Sequence, residues 1–107
     1  MPMNTFAALA EPNRRMLLEA MIDGAKPVNQ LVELIGQSQP VVSKHLRILR
    51  ESGLVSVERN GQQRLYSINP QPLRELDQWL QPYRQFWAAK LDALEAHLDS
   101  LLEEEDR

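Results

Sequence analysis

Residues Ser38 to Ile68 constrain this chain more than any other stretch. Ser38 is a good helix N-cap, Pro40 sits early enough in the following helix to be tolerated, and Gly53 stops it. Inside that helix Val42, Leu46 and Leu49 recur at i, i+4 and i+7, which makes one buried stripe. Gln39, Pro40, Ser43, Lys44, Arg47 and Arg50 fall on the opposite side. Two strands follow, Leu54–Arg59 and Arg64–Ile68, around Asn60-Gly61, the strongest short hairpin signal. Their register stays open. A two-residue loop sets Tyr66 and Ile68 beside Val55 and Val57, whereas a three-residue loop sets Leu65 there.

The flanking sequence reads as helical. Asn4 or Thr5 caps a short helix through Ala10 with Phe6, Leu9 and Ala10 on its apolar side. Pro12 suits the first turn of a second helix, in which Met16, Leu17, Ala20 and Met21 keep a period near 3.6 before Asp23-Gly24 ends it. A third helix, about Val28 to Ile35, buries Leu31, Leu34 and Ile35, and Gly36 supplies the turn. From Pro70 to about Glu105 the spacing is helical again, interrupted by Pro82, which predicts either a kink or two helices. The expected fold is mostly α with a small β-hairpin. It is a winged helix-turn-helix of four helices, two strands and a long or kinked C-terminal helix. The expected organisation is one domain over 1–107, with the helix-turn-helix at 28–53, the wing at 54–68 and C-terminal dimerisation helices at 70–105.

Charge distribution says more than the total of −3. Between Ser38 and Arg64 the bases Lys44, Arg47, Arg50, Arg59 and Arg64 face only Glu51 and Glu58, a local balance of +3. From Leu91 onward Asp92, Glu95, Asp99, Glu103, Glu104, Glu105 and Asp106 stand against Arg107 alone. A basic middle with an acidic tail is compatible with binding a polyanion. Cysteine is absent, which excludes disulfides, thiolate metal sites and thiol catalysis. No apolar run reaches the roughly 18 residues that span a bilayer, and no secretory signal is visible, so a cytoplasmic protein without membrane contact is expected. There is no phosphate-cradling glycine loop and no Ser/His/Asp set in recognisable context, so an enzyme is not expected.

Geometry points to double-stranded DNA. A helix about 10–12 Å across fills the roughly 12 Å major groove. Gln39 can pair with adenine, Ser43 with several bases, and Arg47 or Lys44 with guanine or phosphate. Arg50, nearer the helix end, suits a phosphate. Arg59, Gln62 and Arg64, at or beside the wing tip, suit the backbone or the minor groove. The alternative reading is a protein-interaction winged helix whose basic face binds an acidic partner.

Three blocks, Leu9-Ala10-Glu11-Pro12-Asn13-Arg14-Arg15, Ser38-Gln39-Pro40-Val41-Val42-Ser43-Lys44-His45-Leu46 and Leu49-Arg50-Glu51-Ser52-Gly53-Leu54-Val55, carry a resemblance. From about Thr5 to Ile68 the chain resembles the ArsR/SmtB winged-helix repressors. The resemblance implies a homodimeric bacterial transcriptional repressor, with Gln39, Pro40, Ser43 and Lys44 at the base-reading positions. It also marks a departure. Where thiolate sensors of that family carry Cys-Val-Cys, this chain has Pro27-Val28-Asn29, and where C-terminal sites need paired histidines only His97 is present. No metal and no cofactor is therefore expected, and His45 is read as a packing or phosphate-contact residue.

The C-terminal region resembles a subgroup in which a long aromatic-rich helix replaces the metal sites. Trp87, Leu91, Leu94, Leu98 and Leu101 form a stripe longer than a winged helix can cover. Pairing it with a symmetry mate, together with Phe6 and Leu9 of the first helix, buries it and presents two reading helices to a palindromic operator. Trp79, Tyr83, Phe86 and Trp87 are core and dimer-seam residues in one reading, and line a pocket for a small apolar effector in another.

Overall fold

The computed structural model describes residues 4–105. Its elements are α1 (Asn4–Leu9), α2 (Pro12–Ala20), β1 (Lys26–Pro27), α3 (Val28–Ile35), α4 (Gln39–Glu51), β2 (Val55–Asn60), β3 (Gln63–Ile68) and α5 (Pro70–Glu105). The chain divides after Glu75 into two compact units, a winged helix and a helical C-terminal unit. Asp106, the last acid of the tail, lies outside the described residues.

The winged-helix core forms where apolar faces of α1 to α4 meet the hairpin. Leu17, Leu31, Val42, Leu46, Leu49 and Leu54 are its fully buried centre, with Ala8, Leu18, Met21, Ile35 and Val55 around them. Three expectations about helix faces are corrected. In α1 the buried residues are Thr5 and Ala8, while Phe6 is 44% exposed and Ala10 is outside. Thr5 lies inside the helix rather than capping it. In α2 Leu18 is buried and Met16 is exposed, and in α3 Leu34 is exposed.

Helix ends carry the expected chemistry with one addition. Ser38 Oγ accepts from the Val41 N–H, with Pro40 in the first turn of α4. At the other end Gly53 has φ +82°, its N–H reaches the Arg50 carbonyl, and the Leu54 N–H reaches the Leu49 carbonyl. That pair of bonds is a Schellman stop, and it turns the chain straight into the wing. Asn69 closes the wing behind it. Its N–H donates to the Leu54 carbonyl and its amide to the Gly53 carbonyl, while its side-chain oxygen accepts from the Gln71 N–H at the start of α5.

The sheet has three antiparallel strands in the order β1-β3-β2. Its third strand, β1, was not expected, because two residues carry no periodicity. Lys26 pairs with Tyr66 and Pro27 with Leu65. In the hairpin Val55 pairs with Ile68 and Val57 with Tyr66, the register of a two-residue loop. Each strand runs one residue further toward the turn than expected, and the first starts at Val55 rather than Leu54, so Asn60 pairs with Gln63 and the loop is Gly61-Gln62. Gly61 supplies the positive φ, +65°, at the first turn position.

In the C-terminal unit α5 passes through Pro82 as one helix, which settles the choice between a single helix and two. Proline removes one backbone hydrogen bond there. Arg84 bridges the interruption, pairing with the Asp77 carboxylate, donating to the Asp77 carbonyl at 3.1 Å and to Gln81 Oε1 at 3.4 Å. Trp87, Leu91, Leu94, Leu98 and Leu101 are between 44% and 64% exposed along it. Trp79 and Tyr83 stack at a tilt with ring centroids 4.9 Å apart, and the Lys90 ammonium lies 5.4 Å from the Phe86 ring centre.

Candidate nucleic-acid interface

The buried stripe of α4 dictates what its other side presents. Because Val42, Leu46 and Leu49 face the core, Gln39, Pro40, Ser43, Lys44, Arg47 and Arg50 are all left exposed. The hairpin stands beside them with Arg59, Gln62 and Arg64 exposed as well.

Three adjoining depressions join these nine residues into one surface. Pro40, Ser43, Lys44 and Arg47 line the first. Gln39 and Ser43 share a cleft of about 390 Å³ with Gln62 and Arg64. Arg50 meets Arg59 and Arg64 in the third, which Val57 completes. Ser43 belongs to the first two and Arg64 to the last two, so the surface is continuous from helix to wing. Sequence reasoning missed Asn29, Gln63 and Tyr66, which also line the middle cleft. Gln63 was within reach of the hairpin signal, but Asn29 depends on how α3 meets the wing.

Electrostatics favour an anion here. Among the described residues the ion pairs are Asp23–Lys26 and Asp77–Arg84, so Lys44, Arg47, Arg50, Arg59 and Arg64 have no carboxylate partner. Arg59 and Arg64 stand directly opposite each other across the hairpin. Like charges in that position destabilise a hairpin.

Behind this surface, Arg14 ties α4 to the N-terminal helices. Its guanidinium donates to the Ala8 carbonyl at 2.7 Å and the Ala7 carbonyl at 3.1 Å, satisfying the end of α1. The same group lies 3.3 Å from His45 Nδ1. Arginine only donates, so His45 accepts with a neutral ring. Burial first, and the Arg14 charge second, hold His45 below the ordinary imidazole range. His45 is thus a packing and hydrogen-bonding residue on the inner side of α4. Arg15 adds a bond to the Leu9 carbonyl at 2.6 Å. Among the described residues no three His, Asp or Glu side chains gather as a metal site, and no helix is long and apolar enough to cross a membrane.

A three-helix core carrying an exposed basic helix beside a hairpin defines a winged helix-turn-helix of the DNA-binding kind. Comparisons with known proteins agree: residues 11–57 match the model of the bacterial regulatory protein arsR family. The chain is 45% identical over 65 residues to the HTH-type transcriptional regulator NmtR of Mycobacterium tuberculosis, covering 61% of this chain and 54% of that protein. It is 32% identical to the transcriptional repressor SdpR of Bacillus subtilis, over 72% of this chain and 86% of that protein. The crystal structure of the transcriptional repressor BigR from Xylella fastidiosa superposes with a TM-score of 0.62 at 35% identity, over 72% of this chain and 79% of that one. The chain belongs to the ArsR family of transcriptional regulators.

Proposed function

We propose that the protein is a homodimeric, sequence-specific repressor that inserts α4 into the major groove of a palindromic operator. Gln39, Pro40, Ser43 and Lys44 face base edges, Arg47 serves base or phosphate, and Arg50 meets phosphate. Arg59, Gln62 and Arg64 reach the backbone and minor groove beside it. The observation that carries this reading is the continuous surface from α4 to the wing, with five cations that have no carboxylate partner among the described residues.

The second copy is needed for two reasons. One helix reads a short site, whereas two related by a twofold axis read half-sites about one DNA turn apart. The α5 stripe also runs at 4, 3, 4 and 3 from Trp87 to Leu101, the seam of a paired helix, and it is exposed in a single chain. Phe6 and Leu9 of α1 form the other proposed contact with the second copy. Metal plays no part in this reading, and release by a small apolar effector is compatible with it.

Substituting Lys44→Ala together with Arg47→Ala tests the assignment of α4. Binding to duplex DNA falls steeply if the helix lies in the groove, while unchanged affinity in a folded variant refutes the assignment.

A further inference from the structure

The middle cleft, between α4 and the wing, is lined by Asn29, Gln39, Ser43, Gln63, Arg64 and Tyr66 among others. No carboxylate lines it, and its only charge is the Arg64 guanidinium. None of these six side chains has a hydrogen-bond or ion-pair partner within the described residues. Tyr66 is the most telling of them. It is half-buried, packed against the core, and also lines the cleft, so it is held by the core at the cleft wall. The cleft is therefore a preformed set of neutral donors around one cation.

Resting on the proposed placement of α4 and the wing, we infer that this cleft seats the sugar-phosphate strand dividing the two grooves, with Asn29, Gln63 and Tyr66 as its neutral phosphate donors. If α4 occupies the major groove and the wing reaches the adjacent minor groove, the backbone that separates those grooves has to pass between helix and wing. The cleft lies there, its charge suits an anion, and amide and hydroxyl groups are ordinary phosphate donors. Asn29 anchors the strand from the start of α3, Tyr66 from the middle of β3, and Arg64 supplies the charge.

Neutral donors and cations leave different signatures, which makes the inference testable with the full chain. Asn29→Ala and Tyr66→Phe are measured on two probes, a random-sequence duplex and the genomic fragment most enriched by the wild-type protein. Each variant is expected to lose affinity about fivefold per contact, or about 25-fold in a dimer that carries it twice. The loss is equal on both probes, because phosphate contacts carry no sequence information. The salt slope stays unchanged, since a neutral donor displaces no counterion, whereas Arg64→Ala flattens it by about 0.9 for each phosphate lost. Asn29→Asp, which sets a carboxylate against the strand, loses more than Asn29→Ala. Full affinity in both Asn29→Ala and Tyr66→Phe overturns the inference, as does a loss confined to the enriched fragment, which would mean base reading. Retained binding in the Lys44→Ala, Arg47→Ala variant removes the underlying placement instead.

Discussion

Replacing Arg59 with alanine changes the salt dependence of DNA binding by an amount that follows from the surface itself. Lys44, Arg47, Arg50, Arg59 and Arg64 are exposed and without carboxylate partners among the described residues, five cations per protomer and ten in a dimer. Each phosphate neutralised contributes about −0.9 to the slope of log affinity against log salt, so the steepest slope available is about −9. At that slope affinity drops by roughly 10⁵-fold between about 50 and about 200 mM salt. Arg59→Ala removes two contacts from the dimer and moves the slope to about −7. Fluorescence anisotropy on a labelled random-sequence duplex across a salt series reads this directly. Loss of folding does not confuse the result, because Arg59 faces Arg64 and its removal relieves a repulsion worth roughly 0.2–1 kcal/mol. An unaltered slope in Arg59→Ala, Arg64→Ala and Arg50→Ala alike would refute the idea that these cations meet phosphates.

Leu46 is 1% exposed at the centre of the core, so Leu46→Ala leaves a cavity and costs about 2–5 kcal/mol in urea denaturation. His45 is held neutral in the fold below its ordinary value, while the unfolded chain takes up a proton near about pH 6.5. Stability is then full above that pH and falls as pH drops through it toward the depressed folded value. Urea titrations at about pH 8 and about pH 5 show the loss, and His45→Gln flattens it; an identical loss in that variant assigns the effect to another group. Leu98 is half exposed in α5, so Leu98→Arg leaves the winged helix folded yet shifts sedimentation from dimer to monomer. A variant that stays dimeric contradicts the proposed seam.

Helix α4 and the wing were legible because each carries a redundant signal. In α4 the cap, the stripe and the glycine stop agree, and Val42, Leu46 and Leu49 are all buried as their spacing requires. The hairpin glycine fixed the place of the turn but left the register open, since alternate residues on both strands are apolar enough to face inward. Faces were harder in α1, α2 and α3. Where Met16 competes with Leu18, or Leu34 with Leu31, the neighbouring helix decides the rotation, and that neighbour is invisible along one chain segment. Long-range polar ties were invisible for the same reason. Arg14 joins α1 to His45 of α4 across 31 positions, and Asn69 latches the wing to the end of α4 across 16. Among the site residues, all nine expected on the reading surface lie together, while Asn29, Gln63 and Tyr66 emerge only when α3, α4 and β3 are folded against one another.

The proposed repressor presents two reading helices in one symmetric dimer. Selection of bound fragments from genomic DNA with the purified protein tests that claim most directly. The enriched fragments are expected to share an inverted repeat whose half-sites lie about one helical turn apart. Enrichment of no common sequence, or of a single half-site without its mirror, would contradict it.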